Sequence, residues 1–196
     1  MIQSIIYDGD ICTENTTELF KKLDDLVLLK VTNPDLPLEV VLYYSSEGGS
    51  CYCAEYQAHY LNRCLKHFPI EIVTGSIIMS AAVDVLMDFK GKITVAPLTM
   101  GMVHKSSTRV DTREISQNLS YDKLTIQRLN NSNNRFIKDL APHFTTKEIN
   151  LYKEGKEIYI YGARLKNLLN NVKPIAKKKP IAPKKTTKAK ITNKTK

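Results

Sequence analysis

The chain has 196 residues, 42% of them hydrophobic, and this length suits one domain with a full hydrophobic core better than two. Its formal net charge is +9, but ten lysines and no acidic residue lie in residues 172–196. Removing these ten from the 29 basic residues leaves 19 against 20 acidic ones, so residues 1–171 are nearly neutral. Because the excess positive charge lies in residues 172–196, the sequence excludes a uniformly basic nucleic-acid-binding domain.

The composition also argues against a membrane, secreted or metal-binding protein. No apolar run approaches the roughly 20 residues of a membrane span, and no secretory apolar segment opens the chain. The cysteines lack the CxxC spacing of metal sites. We therefore expect no metal, no cofactor, no membrane contact and a reducing, cytoplasmic compartment. The four cysteines are Cys12, Cys51, Cys53 and Cys64.

The last 25 residues form a separate region. Residues 172–196 are rich in Lys, Pro, Thr and Ala, which predicts a disordered tail after a domain at 1–171. Ten lysines favour weak, non-specific binding of polyanions. The tail has no aromatic side chain to stack on bases, so it does not predict sequence-specific nucleic-acid recognition. A purely solubilising tail is an equal alternative.

Strand and helix patterns alternate through the first hundred residues. The alternation predicts an α/β domain with right-handed crossovers and a largely parallel sheet. The apolar runs that predict strands are residues 4–7, 38–44, 70–73, 93–96 and 100–103. Helical patterns cover residues 13–30, a segment capped by Ser50 that runs to about residue 67, and a segment that opens within 75–83 and runs towards 89.

The rest of the domain predicts a long helix and a closing strand and helix. Residues 112–140 are helix-compatible but have few apolar positions, which favours a helix that projects and packs against another subunit. Thr145 and Glu148 have the spacing of a capping box, which predicts a short helix to about residue 153. A strand at 157–160 and a helix at 163–169 follow.

Three of the predicted turns carry residues suited to hydrolysis by serine. This reaction needs a hydroxyl, an imidazole within hydrogen-bond reach, an acid that orients the imidazole, and N–H donors for the oxyanion. Gly48 and Gly49 follow one strand, Ser80 follows the next, and His104 ends another. The carboxyl ends of parallel strands share one edge, so we expect these residues to meet there. Ser80 as a small residue for close helix packing is the simpler alternative.

Five motifs occur along the chain in a fixed order. They are Ser4-Ile5-Ile6-Tyr7-x-Gly9-x-Ile11, the run Leu42-Tyr43-Tyr44-Ser45-Ser46-Glu47-Gly48-Gly49-Ser50, Gly75 followed by Ser80-Ala81-Ala82, Gly91-Lys92, and Met102-Val103-His104. In this order and spacing they resemble the proteolytic subunit of the Clp protease, ClpP, over nearly all of residues 1–171. The resemblance implies the ClpP/crotonase superhelix of βαβ units, with residues 112–140 as its protruding handle helix.

The resemblance also implies an activity and partners. Members of the family cleave peptides with a Ser-His-Asp triad and assemble into heptameric rings, two of which stack through the handle. Carried over, Ser80 is the nucleophile, His104 the general base, and Gly49 (or Gly48) with the N–H of Ala81 the oxyanion hole. The implied partners are peptide or unfolded-protein substrates, further copies of the chain and an ATP-driven unfoldase. Glu47 stands where the family has proline.

Two departures from the family pattern leave alternatives open. Counting from Gly75 without gaps puts Met79, not Ser80, at the nucleophile position, which would make the chain a catalytically silent subunit. A one-residue slip turns a helix by about 100°, so both registers cannot place the same side chain in the cleft. The triad acid is the second departure: Glu157 precedes the last strand, while the neighbouring alignment gives Lys156, which cannot orient an imidazolium.

The sequence thus favours a self-compartmentalising serine peptidase acting through Ser80, His104 and Glu157. The alternatives are an inactive ring subunit with a regulatory role, a crotonase-type enzyme acting on acyl-CoA, and a scaffold whose basic tail is the functional part. Asp84, in an otherwise apolar segment, is interpreted as the edge of an amphipathic helix.

Overall fold

The structure is a computed structural model that describes residues 1–107, 123, 126–127, 129–131, 133–134 and 136–172. Its strands form one sheet in the order β1-β2-β3-β5-β6, and β4 pairs with β3 beside β5. Every pairing is parallel except that of β5 with β6. The strands are β1 (Ile2–Asp8), β2 (Glu39–Ser46), β3 (Ile70–Met79), β4 (Lys92–Thr94), β5 (Met100–Val103) and β6 (Ile158–Tyr161).

Helices pack on this sheet and enclose an apolar core. The core residues of β1, β2 and β3 are Val, Ile, Leu and Tyr, and they meet the apolar sides of α2 and α3, whose alanines permit close approach. The helices are α1 (Thr13–Thr32), α2 (Cys51–Cys64), α3 (Ala81–Asp88), α4 (Thr146–Lys153) and α5 (Gly162–Val172); a π-helical turn at Phe136–Leu140 and a 3-10 turn at Ala141–His143 precede α4.

The predicted α/β class and largely parallel sheet are confirmed, as are the helix caps tied to single residues. The Ser50 hydroxyl accepts a hydrogen bond from the N–H of Cys53 at 3.3 Å. Thr145 and Glu148 form both hydrogen bonds of a capping box at the start of α4. Most of the predicted handle, residues 112–140, lies outside the described residues, as do residues 173–196 of the predicted tail.

Strand β3 differs most from its prediction, because it continues six residues beyond Val73. Gly75, predicted to lie after the strand in the segment that opens the next helix, lies inside the strand, where a Cβ atom would stand 2.6 Å from the Cβ of Ser45. A glycine inside a strand often marks a site where another part of the backbone approaches closely. The extra length matters for the site, because Ile77–Met79 pair with β5 and so place the end of β3 beside the end of β5.

A buried polar network joins the first two strands to the helices above them. The Gln57 amide accepts a hydrogen bond from the Tyr44 hydroxyl at 2.7 Å and donates to Tyr7 and Thr16, both at 2.9 Å. The Tyr7 hydroxyl in turn donates to the carbonyl of Asp10 at 2.9 Å. Every polar atom of the Gln57 side chain is therefore satisfied, as burial demands. The network holds the loop after β1, which contacts the candidate site.

Candidate active site

Ser80 stands at a sharp turn between β3 and α3. Its φ of 52° and ψ of −124° lie in a region that glycine adopts easily and other residues rarely do, and it is the one non-glycine residue with positive φ in the part of the chain that the structure describes. Its N–H donates to the carbonyl of Met102 in β5 at 2.7 Å. Such strain persists only where surrounding structure enforces it, and it commonly marks functional positions.

The structure brings Ser80 and His104 together. The Oγ of Ser80 lies 2.7 Å from Nε2 of His104, within hydrogen-bond reach of a nucleophile and its base. The parallel pairing of Met79 with Met102 accounts for this contact, because it places the ends of the two strands side by side. Ser80 is the next residue after Met79, and His104 lies two residues after Met102. Ser80, and not Met79, is therefore the residue that faces the imidazole.

The Gly48-Gly49 turn packs directly against Ser80. A Cβ atom on Gly48 would stand 2.7 Å from both the carbonyl oxygen of Met79 and the Cβ of Ser80, and 3.1 Å from the nitrogen of Ala81. Both glycines have positive φ, at 101° and 136°. The approach is thus open to glycine alone. It brings the backbone of the turn to the first N–H groups of α3.

The backbone N–H groups near Ser80 differ in whether they already have a hydrogen-bond acceptor. The Gly48 N–H donates to the hydroxyl of Ser46 at 3.0 Å. Ala81 is the first residue of α3, so its N–H has no acceptor within the helix. The Gly49 N–H has no hydrogen-bond acceptor among the described residues. Of the three predicted oxyanion donors, the geometry therefore favours Gly49 and Ala81, with Gly48 permitting the close approach.

Ile11 fixes the turn and was missed by the sequence analysis. Its N–H donates to the carbonyl of Gly48 at 2.7 Å, and its carbonyl accepts from Ser50 at 2.8 Å. In this isolated parallel bridge, Ile11 is hydrogen-bonded to the residues on either side of Gly49 and not to Gly49 itself. The N–H of Gly49 therefore points away from Ile11. Ile11 is 1% exposed, so packing holds it in place. Its only sequence signal is membership of the first motif.

Glu157 is not hydrogen-bonded to His104. The antiparallel pairing of Val103 with Ile158 makes His104 and Glu157 the next residues along the two strands. The carboxylate of Glu157 is nevertheless exposed and accepts a hydrogen bond from the Tyr159 hydroxyl. That hydrogen bond is the first cause of the raised pKa of Tyr159. The backbone register thus suits the predicted triad acid, whereas the side chain points elsewhere.

A small pocket opens beside Ser80 and His104. Its cavity measures about 30 Å³, which holds about two water molecules. Asp84, one helical turn after Ser80, lines it together with apolar residues. The sequence predicted Asp84 only as the edge of an amphipathic helix and not as part of a pocket. The opposite wall of the pocket includes Phe136, Leu140 and Tyr152, which lie more than fifty residues later in the chain. The apolar lining residues are Ala81, Val83, Met87, Val103, Phe136 and Leu140.

Two groups near this pocket have raised pKa values. Burial, followed by the charge of Asp84, raises the pKa of the Cys51 thiol and that of the Tyr152 hydroxyl. The Tyr152 hydroxyl donates to the side-chain oxygen of Asn133 at 2.9 Å. The thiol and the phenol are therefore both neutral near pH 7.

The described residues contain no group of three or more His, Cys, Asp or Glu placed to hold a metal ion. Within the same residues, no helix combines the length and the apolar character that crossing a membrane requires. All four cysteines are free thiols.

Neither a protein-family model nor a curated protein sequence matches this chain. Solved structures do. A mutant of ClpP1 from Listeria monocytogenes superposes with a TM-score of 0.57 at 14% identity, over 86% of this chain and 87% of that one. The ClpP protease catalytic domain from Plasmodium falciparum gives a TM-score of 0.53 at 20% identity, over 86% and 81%. The chain therefore has the fold of ClpP protease catalytic domains.

Proposed function

We propose that the protein is a ClpP-like serine endopeptidase that hydrolyses peptide bonds inside a ring-shaped oligomer. The observation that carries the proposal is the 2.7 Å contact between Ser80 Oγ and His104 Nε2 at the strained turn that ends β3. Ser80 is the nucleophile and His104 the general base. With His104 neutral and protonated at Nδ1, Nε2 accepts the proton of the hydroxyl as Ser80 attacks the scissile carbonyl.

The surroundings of Ser80 suit the later steps as well. The oxyanion of the tetrahedral intermediate accepts hydrogen bonds from the N–H groups of Ala81, which follows the nucleophile in the chain, and of Gly49, which belongs to the turn that packs on it through Gly48. His104 then donates its proton to the leaving amine, the acyl-enzyme forms on Ser80, and water releases the acyl group with His104 again as base. No metal or cofactor is needed for this cycle.

A fluorophosphonate probe tests the proposal, because it reacts with an activated serine. We expect labelling of Ser80, located by peptide mass spectrometry, to be lost in Ser80→Ala and reduced about 100-fold or more in His104→Ala. Ser76→Ala and His59→Ala are matched controls, since both side chains are exposed and lie outside the pocket lining. Absence of Ser80 labelling in the assembled wild-type protein would contradict the proposal.

The inactive ring subunit is the second candidate, and one observation favours it. Among the described residues no carboxylate accepts a hydrogen bond from His104, whereas in triads an acid at that position orients the imidazole. Peptide hydrolysis separates the two candidates. Turnover that depends on both Ser80 and His104 supports the peptidase, and probe labelling without any turnover supports the inactive subunit.

Ring assembly is part of the proposal. Ile2 and Ile6 of β1 and Tyr43 of β2 are 67%, 69% and 47% exposed, and Ile6 pairs directly with Tyr43 in the sheet. Apolar side chains that share one exposed sheet surface favour contact with another subunit. Native mass spectrometry is expected to show a multiple of seven copies, and a stable monomer would contradict it. The unfoldase partner and the cytoplasmic location stay predictions.

A further inference from the structure

The segment that carries His104 lies just beyond the paired part of the sheet. Strand β5 ends at Val103, and the pairing of Val103 with Ile158 is the last one between β5 and β6 in this direction. Residues 104–107 belong to no strand in the part of the chain that the structure describes. The place of the imidazole beside Ser80 therefore depends on what holds this segment beyond His104.

Asn133 holds the segment through Ser106. Its Oδ1 accepts a hydrogen bond from the N–H of Ser106 at 2.9 Å, and its Nδ2 donates to the carbonyl oxygen of Ser106 at 3.3 Å. The side-chain amide thus pairs with both backbone groups of one residue, as a residue of a neighbouring antiparallel strand does. Because Ser106 lies two residues after His104, this pairing restrains the backbone of the general base.

Tyr152 holds Asn133 in turn. The Tyr152 hydroxyl donates to Oδ1 of Asn133 at 2.9 Å, so this oxygen accepts from two distant parts of the chain. Tyr152 is buried, and its ring stacks on that of Phe136 with the ring centroids 3.5 Å apart. A residue holds a reactive group precisely when packing and further hydrogen bonds fix its own side chain. Asn133 meets this condition, because α4 and the core fix it through Tyr152.

The anchored residues also surround the reacting pair. Ser106 and Tyr152 line the pocket that Ser80 and His104 share. Among the described residues no carboxylate accepts a hydrogen bond from His104, so the imidazole takes its position from its backbone. Two anchors fix that backbone: the pairing of β5 with β6 before His104, and Asn133 after it.

We propose that Asn133 is a positioning residue for the general base. By pairing with Ser106, it holds the backbone of His104 where Nε2 stays within hydrogen-bond reach of Ser80. The inference rests on the proposed function, since it concerns the base that activates Ser80. Asn133 forms no hydrogen bond with the imidazole itself, so it acts through the backbone and not as a third member of a triad.

A double-mutant cycle, read out by fluorophosphonate labelling of Ser80, tests the inference. We expect Asn133→Ala to slow labelling about tenfold or more, because a displacement of about 1 Å at a reacting group costs on the order of 100-fold. In the His104→Ala background no base remains to be positioned, so Asn133→Ala should change the rate less than about twofold. Asn134→Ala, at the exposed neighbouring position, is the matched control and keeps the wild-type rate.

The cycle distinguishes positioning of the base from general support of the fold. An equal loss on Asn133→Ala in both backgrounds would overturn the inference, because Asn133 would then act without His104. Tyr152→Phe tests the same point with a milder change, since it removes only the hydroxyl that fixes Asn133. We expect it to slow labelling about threefold in the wild-type background and to have no effect in His104→Ala. The same loss in both would also overturn the inference.

Peptide hydrolysis by the assembled protein gives an independent readout. Asn133→Ala is expected to lower kcat and leave KM unchanged, because the base acts in the transition state and Asn133 holds only the base. A raised KM with an unchanged kcat would contradict the positioning role. The proposed function fails separately, if Ser80 of the wild-type protein is not labelled. Labelling that depends on His104 but not on Asn133 overturns this inference alone.

Discussion

The N–H of Ile11 donates to the carbonyl of Gly48 at 2.7 Å, and this bond joins the loop after β1 to the turn that packs on Ser80. The loop is itself held by the Tyr7 hydroxyl, which donates to the carbonyl of Asp10. The glycine turn is therefore positioned by parts of the chain about forty residues earlier. Its precision depends on the first strand as well as on the turn's own sequence.

Gly48→Ala is expected to slow the reaction of Ser80 with a fluorophosphonate about 100-fold. The added Cβ would stand 2.7 Å from the Met79 carbonyl and from the Cβ of Ser80, and two backbone segments would have to move apart. A shift of about 1 Å at such a site costs on the order of 100-fold in rate. The measurement is the rate of fluorophosphonate labelling at Ser80. Gly155→Ala is the control, because Gly155 has positive φ with no atom within 4 Å of the added Cβ.

Ser80→Gly is expected to be more stable than Ser80→Ala by about 1 kcal/mol. Strained backbone of the kind found at Ser80 costs about 1–3 kcal/mol, and glycine removes that cost while adding about 0.5–1 kcal/mol of unfolded-chain entropy. Both variants lose the hydroxyl, so their difference in urea denaturation isolates the backbone. An Ala variant as stable as the Gly variant would show that the turn is unstrained.

The sequence predicted most of the helices and strands, and it predicted that Ser80 and His104 lie close together. The signals behind these predictions act between residues that are near each other in the chain. The apolar runs, the Ser50 cap and the Thr145 capping box each act within a few residues. The parallel order then places strand ends at one edge. What escaped prediction depends on distant packing: Gly75 within β3 against Ser45, and Asp84 facing residues beyond 130. A hydropathy pattern has no information about such contacts.

Ile11 illustrates the same limit in the site itself. Its apolar character predicts burial, but the use of its N–H and carbonyl to fix Gly48 and Ser50 depends on the register between a loop and a turn. The resemblance to ClpP implies that the glycine pair belongs to the oxyanion hole, and the absence of side chains on both residues predicts a close approach of the backbone. The distinction between Gly48 and Gly49 required the hydroxyl of Ser46, which takes the N–H of Gly48.

Gln57→Leu is expected to destabilise the fold by about 3 kcal/mol. The amide satisfies three buried or half-buried hydroxyls, and a buried polar group without a partner costs about 1–3 kcal/mol. Urea denaturation measures the loss. Glu55→Leu, at an exposed position of the same helix, is the control and should change stability by less than about 0.5 kcal/mol. A Gln57 variant with wild-type stability would contradict the role assigned to the network.

The capping box predicts a pH dependence below pH 5. Hydrogen bonds from Arg164, and secondarily from Thr145, lower the pKa of Glu148 from 4.5 to about 2. Because the folded-state pKa is the lower one, the stabilisation is complete above about pH 4.5 and is lost as the pH falls towards 2. The stability difference between wild type and Glu148→Gln should therefore shrink between pH 6 and pH 3. A difference that is constant over this range would contradict the ion pair with Arg164.

Glu157→Gln is expected to lower kcat/KM less than tenfold, because the carboxylate is hydrogen-bonded to Tyr159 and not to His104. Losing the acid of a working triad costs about 10⁴-fold. The measurement is peptide hydrolysis by the assembled protein. Glu154→Gln is the control, since Glu154 is exposed, forms an ion pair with Lys156, and lies four residues before Ile158, where the strand pairing begins. A loss above 1000-fold in Glu157→Gln alone would instead establish Glu157 as the third member of the triad that the sequence predicts.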